Sequence, residues 1–212
     1  MLNKNCIIIF LSYILSGCSA VDIVETNDPH MKIEQALLLI NSNRPIPADK
    51  LIVQAIRIFK ESNDSIGLVR AYRLRGDFLI SSQVENNENF FNKYGFILDG
   101  KIYDNRHEKA IDYFIITKNL IKADKRNLYS ALTQIHMKLA KTYSDHTNNH
   151  KEVCDNLETS KKYYNIRDKS IPDNLLVTLV FGHKSYNEFY KEFNTKHHCK
   201  AGLNETSSLI IP

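Results

Sequence analysis

Apolar residues recur three and four positions apart along most of this chain of 212 residues, and this spacing constrains its fold more than any other feature. Six such stripes lie at residues 33–40, 51–59, 68–79, 110–121, 128–143 and 175–190. The spacing places apolar side chains on one side of a helix, and no stripe alternates with the period of two that is typical of a half-buried strand. The sequence therefore predicts an all-α fold.

Turn-forming residues separate these stripes at 41–45, 63–65, 145–150 and 170–172. Asp28-Pro29, ahead of the first stripe, is typical of a helix start. We therefore expect about seven helices in one domain over residues 28–200. Residues 83–104 break the rhythm with asparagine and aromatic residues, which predicts an irregular insertion between two helices, and residues 201–212 are predicted to form a flexible tail.

Small and aromatic residues recur where neighbouring helices would cross closely. The recurring elements are Ala55-x3-Phe59, Ala71-Tyr72-x3-Gly76, Ala110-x3-Phe114 and Leu139-Ala140-x2-Tyr143. They resemble the tetratricopeptide repeat, and the spacing of about 21 residues from Ala55 to Gly76 is close to the family's value of about 22. The resemblance implies a helical-hairpin repeat array. A helical bundle without repeats is the alternative.

The first eighteen residues carry the pattern of a secretory signal. Lys4 gives a positive start, residues 6–15 form an apolar run, and Leu15-Ser16-Gly17-Cys18 supplies a cleavage site with small residues. These last four residues resemble the lipobox of bacterial lipoproteins, in which the chain is cut before the cysteine and the cysteine is acylated. The resemblance implies a signal peptide over 1–17, lipidation at Cys18 and a lipidated tether over 18–27. An ordinary secretory signal is the alternative.

The residue after the lipidated cysteine suggests which membrane holds the anchor. In lipoproteins of enteric-type bacteria an aspartate there favours retention in the inner membrane, whereas this chain has Ser19. Acyl chains contribute about 0.8 kcal/mol per buried methylene group, so several chains make a permanent anchor. We therefore expect a domain tethered to the outer membrane and facing the periplasm.

Two of the four cysteines remain after the signal peptide and the lipidation site are set aside, namely Cys154 and Cys199. The periplasm oxidises thiols, so these two residues are expected to form a disulfide. The bond would close a loop of about 45 residues and contribute about 3–4 kcal/mol. Two free buried thiols, or a metal site, are the alternatives.

The sequence offers little support for catalysis, cofactors or nucleic-acid binding. The formal net charge is only +4 and the two signs are mixed along the chain, so no basic patch is indicated. No nucleophile elbow, phosphate-binding glycine loop or zinc-protease motif occurs. His146 with His150, and His197-His198-Cys199, are possible metal ligands, but the first pair lies in a predicted turn and the second competes with the disulfide. We expect no enzymatic activity, no cofactor and no bound metal.

Repeats of this kind bind proteins along a groove, and the resemblance assigns groove positions to two helices. They are Arg70, Arg73 and Asp77 on one helix and Gln134, Met137 and Lys141 on another. A basic groove would favour an acidic segment or a terminal carboxylate. A second candidate surface is the insertion, through Phe90, Phe91 and Tyr94. The alternatives are ordinary solubilising charges and aromatic rings that fold down onto the helices.

Two functions from different classes fit these features. The first is a scaffold or adaptor that binds proteins during assembly of an envelope or secretion machine. The second is an immunity lipoprotein that binds and neutralises an antibacterial toxin acting in the periplasm, such as a lipase or amidase delivered by a contact-dependent (type VI) secretion system. A carrier of small ligands or lipids is weaker, because the stripes indicate no large apolar pocket.

Overall fold

The computed structural model describes residues 23–94, 96–98, 101–103, 105–123, 128–147, 149–167, 183 and 185–199. The predicted signal peptide over 1–17, Cys18 and the tail predicted over 201–212 lie outside these residues. In chain order the elements are α1 (Pro29–Asn41), α2 (Pro45–Glu61), α3 (Ser65–Leu79), α4 (Ser82–Glu85), α5 (Glu88–Tyr94), β1 (Phe96–Leu98), β2 (Lys101–Tyr103), α6 (Arg106–Ala123), α7 (Tyr129–His146), α8 (His150–Ile166) and α9 (Tyr186–Lys196).

Short polar residues determine where the helices begin and end. The Asp28 side chain accepts a hydrogen bond from the His30 amide at 2.8 Å, which caps α1 ahead of Pro29. Asn43 and Asn63 lie in the turns after α1 and α2 with a φ of 54° each, a left-handed conformation that asparagine tolerates better than most residues. The turns predicted at 41–45 and 63–65 are therefore confirmed.

The long helices form an array in which each packs on the next. Along the chain α1 to α3, then α6, α7 and α8, make successive contacts, and α9 packs on α8. Seven of the nine helices in the described part of the chain have 11 or more residues. The all-α helical-hairpin array of about seven helices is confirmed, and the tetratricopeptide resemblance stays a prediction.

One predicted helix is shorter than its apolar stripe. The stripe over 175–190 suggested one continuous helix, but Ser185 is extended and its side chain accepts a hydrogen bond from the Glu188 amide at 3.2 Å. This cap starts α9 at Tyr186. Residues 175–182 lie outside the described part of the chain.

The predicted insertion lies between α3 and α6, two long helices that pack against each other. It contains the short helices α4 and α5 and an antiparallel hairpin that pairs Phe96 with Tyr103 and Leu98 with Lys101. These elements overlap the insertion predicted over 83–104, and the short helices and strands were not predicted.

Small residues allow the helices to approach closely, as the repeat pattern predicted. The buried alanines Ala55, Ala71, Ala110 and Ala140 each have 0% exposure. Gly67 lies against the ring of Phe59, and Gly76 lies against the ring of Phe114. Interiors pack to crystal-like density, so these contacts leave no room for a larger side chain.

Replacing Gly76 by alanine is therefore expected to destabilise the protein. A Cβ atom there would lie less than 3 Å from three atoms of the fully buried Phe114 ring. Overpacking costs about 1–3 kcal/mol, which exceeds the gain of about 1 kcal/mol from the higher helix propensity of alanine. Urea unfolding measures the loss, and Phe114→Leu in the same chain should recover part of it by vacating the space. A Gly76→Ala variant more stable than the wild type would contradict the close contact.

Cys154 and Cys199 form a disulfide, with Cα atoms 5.4 Å apart, which confirms the predicted bond. It ties α8 to the segment that follows α9. Around it lies a second apolar cluster that is distinct from the main core of α1 to α7. This cluster contains Met137, Ala140, Val153, Leu157, Tyr186, Phe189, Phe193 and Cys199.

Candidate protein-binding face

Three polar bridges connect helices α1, α3 and α7 along one face. The Arg70 guanidinium on α3 pairs with Glu34 on α1. Further along α3, Arg73 donates to the Gln134 side-chain oxygen on α7 at 3.4 Å. Lys138 on α7 pairs with Asp77 on α3. We call this surface the bridged face. Its bridges bring Arg70, Arg73, Asp77 and Gln134 together, and their role in binding a partner stays a prediction.

Exposed apolar side chains lie beside these bridges. Met31 and Leu38 lie on either side of Glu34 at helical spacing, and Ile66 lies one turn before Arg70. Their exposures are 45%, 55% and 58%, which are high for residues of this size. The sequence interpretation missed these residues, although Leu38 lies out of phase with the buried residues of its own helix and the helical period alone indicates its exposure.

Arg73 is the unbalanced cation of the bridged face. It is half-buried, and within the described residues its only polar partner is the neutral amide of Gln134. The neighbouring cations Arg70 and Lys138 have carboxylate partners. A guanidinium that lacks an anion in such a place can bind the carboxylate of another chain through two parallel hydrogen bonds.

Met137 needs a correction. It was predicted to line the groove, but its side chain is fully buried in the second apolar cluster, because α7 is covered on that side by α8 and α9. It therefore has a packing role and cannot contact a partner in this conformation. Lys141, one turn further, is accessible and pairs with Asp145 on the same helix at 2.5 Å.

The aromatic residues that were predicted to form a second binding surface on the insertion differ in their burial. Phe91 is buried in the main core and lies edge-on to Phe78, with ring centroids 5.9 Å apart. Phe90 is half-buried and contacts Phe91 at 5.4 Å. The prediction that Phe91 meets a partner is therefore corrected, since this ring folds down onto the helices. Tyr94 ends α5, and its side chain lies outside the described part of the structure.

Arg106 fixes the insertion at its far end. This buried side chain donates to the carbonyl oxygens of Leu79 at 3.3 Å and Ser81 at 3.1 Å, and it pairs with Glu85 at 3.3 Å. It satisfies backbone groups where α3 ends, which would otherwise lack partners. Phe91 and Arg106 thus fix the chain on either side of the β-hairpin, and both strands of the hairpin contact α6.

Histidines from separate parts of the chain come together in two pairs. Nδ1 of His150 lies 3.2 Å from Nδ1 of His197, and the rings of His107 and His146 stack at 5.0 Å. Burial lowers the pKa of both His107 and His197, and neighbouring cationic side chains lower it further. Within the described ranges no group of three or more potential metal ligands is present.

Because the His136 side chain is buried, we expect the protein to lose stability in mild acid. Desolvation lowers its pKa to about 4 from 6.5, although its ring bonds the Asn156 side chain at 2.8 Å. The unfolded chain therefore binds a proton at a higher pH than the folded chain, so stability falls as the pH drops below about 6.5. The expected loss from His136 is about 2 kcal/mol between pH 7 and pH 5.

Urea unfolding at several pH values measures this slope. His136→Gln, which cannot titrate, should flatten it while keeping a hydrogen bond to Asn156 possible. An unchanged slope in that variant would show that other groups, such as His107 and His197, carry the dependence.

Comparisons with family models, with curated proteins and with solved structures find no match to this chain. Among the described helices, none combines the length and the apolar character that a membrane span requires.

Proposed function

We propose that this chain is a lipid-anchored scaffold or adaptor that binds another protein through the bridged face. Cys18 would hold it in the outer membrane, with the helical domain in the periplasm. The partner would be a component of an envelope or secretion machine, and no catalytic role is proposed. The observation that carries the proposal is Arg73, a half-buried guanidinium bonded to a neutral amide and lying near exposed apolar residues.

The layout of the bridged face supports this function in two ways. Bridges from Arg70 to Glu34 and from Lys138 to Asp77 hold three helices in register, so the surface is formed before a partner arrives. Met31, Leu38 and Ile66 supply apolar area around a cation, and interfaces of this kind gain affinity from a few such residues. A partner segment with a carboxylate and apolar neighbours would fit.

Affinity capture of the acylated full-length protein from gently solubilised envelopes tests the proposal, with partners identified by mass spectrometry. Arg73→Glu should weaken binding of the captured partner by about tenfold or more, because it places a negative charge against the partner's carboxylate. Arg57→Glu is the matched control, since Arg57 is an exposed residue of α2, a helix that contributes no bridge to this face. Equal binding by both variants would remove the bridged face from the proposal.

The insertion favours a second candidate, an immunity lipoprotein that occludes a periplasmic toxin. Its β-hairpin lies against α6, and Phe91 and Arg106 fix the chain on either side of it, as a preformed loop that meets a partner would require. Capture of one stoichiometric partner with toxin character, lost when residues 96–103 are replaced by a short glycine linker, would favour this function. Capture of several envelope-assembly proteins that tolerate the replacement would favour the scaffold.

A further inference from the structure

A cleft lies where the tether meets the first two helices. Its volume is about 330 Å³, and its walls come from the tether residues 23–27 and from one side of α1 and α2. The tether is held against α1, because the Gln35 side chain donates to the Val24 carbonyl oxygen at 3.0 Å. Within the tether, the Asp28 amide donates to the Thr26 hydroxyl oxygen at 3.0 Å. The cleft is thus built by the segment that leads toward Cys18.

Charge and hydrophobicity are arranged around this cleft as a phospholipid headgroup would require. Lys32 and Lys50 line it, against one carboxylate from Glu25. Lys32 is positioned by a hydrogen bond to Gln54 at 2.7 Å, whereas Lys50 is exposed and makes no hydrogen bond or ion pair to any described residue. Ile23 and Val24, at the rim, expose 40% and 57% of their surfaces.

The rim also lies close in sequence to the proposed anchor. Ile23 follows Cys18 by five residues, and five extended residues span at most about 17 Å. A membrane that holds Cys18 is therefore within reach of Ile23, Val24 and the lysines behind them. Apolar residues at a membrane surface enter the interface, while lysines nearby are attracted to anionic lipid.

We propose that this cleft binds the headgroup of an anionic phospholipid in the membrane that holds Cys18, with Lys32 and Lys50 contacting the phosphate and Ile23 and Val24 entering the interface. This rests on the proposed lipid anchor. Such binding fixes the orientation of the domain, so that the helix array has a defined angle to the membrane and does not swing on its tether.

Hydrogen exchange on the acylated full-length protein in vesicles tests the assignment. We compare phosphatidylcholine vesicles that contain phosphatidylglycerol with vesicles of phosphatidylcholine alone. Exchange over residues 23–28 and the first turns of α2 should be at least about fivefold slower with phosphatidylglycerol, because each lysine near an anionic surface contributes about that ratio. Lys50→Glu should abolish the difference. Lys162→Glu, the same charge change at an exposed position of α8, should leave it intact.

The outcomes distinguish a lipid headgroup from free phosphate. Equal exchange in the two kinds of vesicle, with the protein still anchored, would overturn the proposal. Inorganic phosphate that slows exchange equally in phosphatidylcholine vesicles would also overturn it, because the cleft would then bind the free anion. If mass spectrometry finds no acyl chains on the protein, the lipid anchor alone is refuted. Exchange of the unanchored protein can then be compared between added vesicles with and without phosphatidylglycerol, and this comparison still tests the cleft.

Discussion

Replacing both Cys154 and Cys199 by serine is expected to lower the free energy of unfolding by about 4 kcal/mol, because the disulfide closes a loop of 45 residues. The bond removes conformational freedom from the unfolded chain, and that constraint is lost in the variant. The loss is a large part of the roughly 5–15 kcal/mol that holds an ordinary domain together. Urea unfolding of the variant and the wild type under oxidising conditions measures it.

The loss should be concentrated at one end of the molecule. The bond lies in the second apolar cluster, where α9 rests on α8 through a few large side chains such as Tyr186, Phe189 and Phe193. Without the bond we expect α9 to exchange its amide hydrogens before α1 to α3 do, since local unfolding begins where buried contacts are fewest. Reductant should reproduce this pattern in the wild type and have no effect on the double variant. Uniform faster exchange would show that the array unfolds only as a whole.

Much of the fold could be predicted because its causes are local. Helical period, Asp28-Pro29 and the asparagines of the turns act within a few residues, so the sequence reports them directly. The close contact of Gly76 with Phe114 joins residues from two helices, yet it was indicated by a small residue and an aromatic residue recurring at repeat spacing. The hairpin that pairs Phe96 with Tyr103 was missed, because strands of three residues are too short to show a period of two.

The candidate site was harder to predict, since it depends on contacts between distant residues. Arg73 and Gln134 are 61 positions apart, and only the assumption of parallel repeat helices brought them together. That assumption failed for Met137, because it did not include the covering of α7 by α9. The sequence did not predict that Lys138 belongs to this site, because a lysine on a helix is usually exposed. In the structure Lys138 is only 4% exposed and pairs with Asp77.

Asp77→Ala is expected to cost about 3 kcal/mol of stability, because it leaves the Lys138 ammonium buried without its carboxylate. The value is at the lower end for a broken buried pair, since the Asp77 side chain is 35% exposed and water reaches it. Desolvation lowers the pKa of Lys138, and Asp77 is the group that opposes this shift. In the variant the lysine must lose its proton or draw water into the face.

Removing the charge should restore what Asp77→Ala loses. Lys138 lies 5.9 Å from the centre of the Phe114 ring, so an apolar side chain of similar length can occupy its place. We expect Asp77→Ala with Lys138→Met to recover most of the loss, as paired replacement of buried ions often does. Asp145→Ala, which breaks the more exposed pair with Lys141 on the same helix, is the matched control and should cost about 0.5 kcal/mol. Equal costs for the two aspartates would mean that Lys138 is solvated, and the bridged face would then lack the fixed register on which its proposed binding depends.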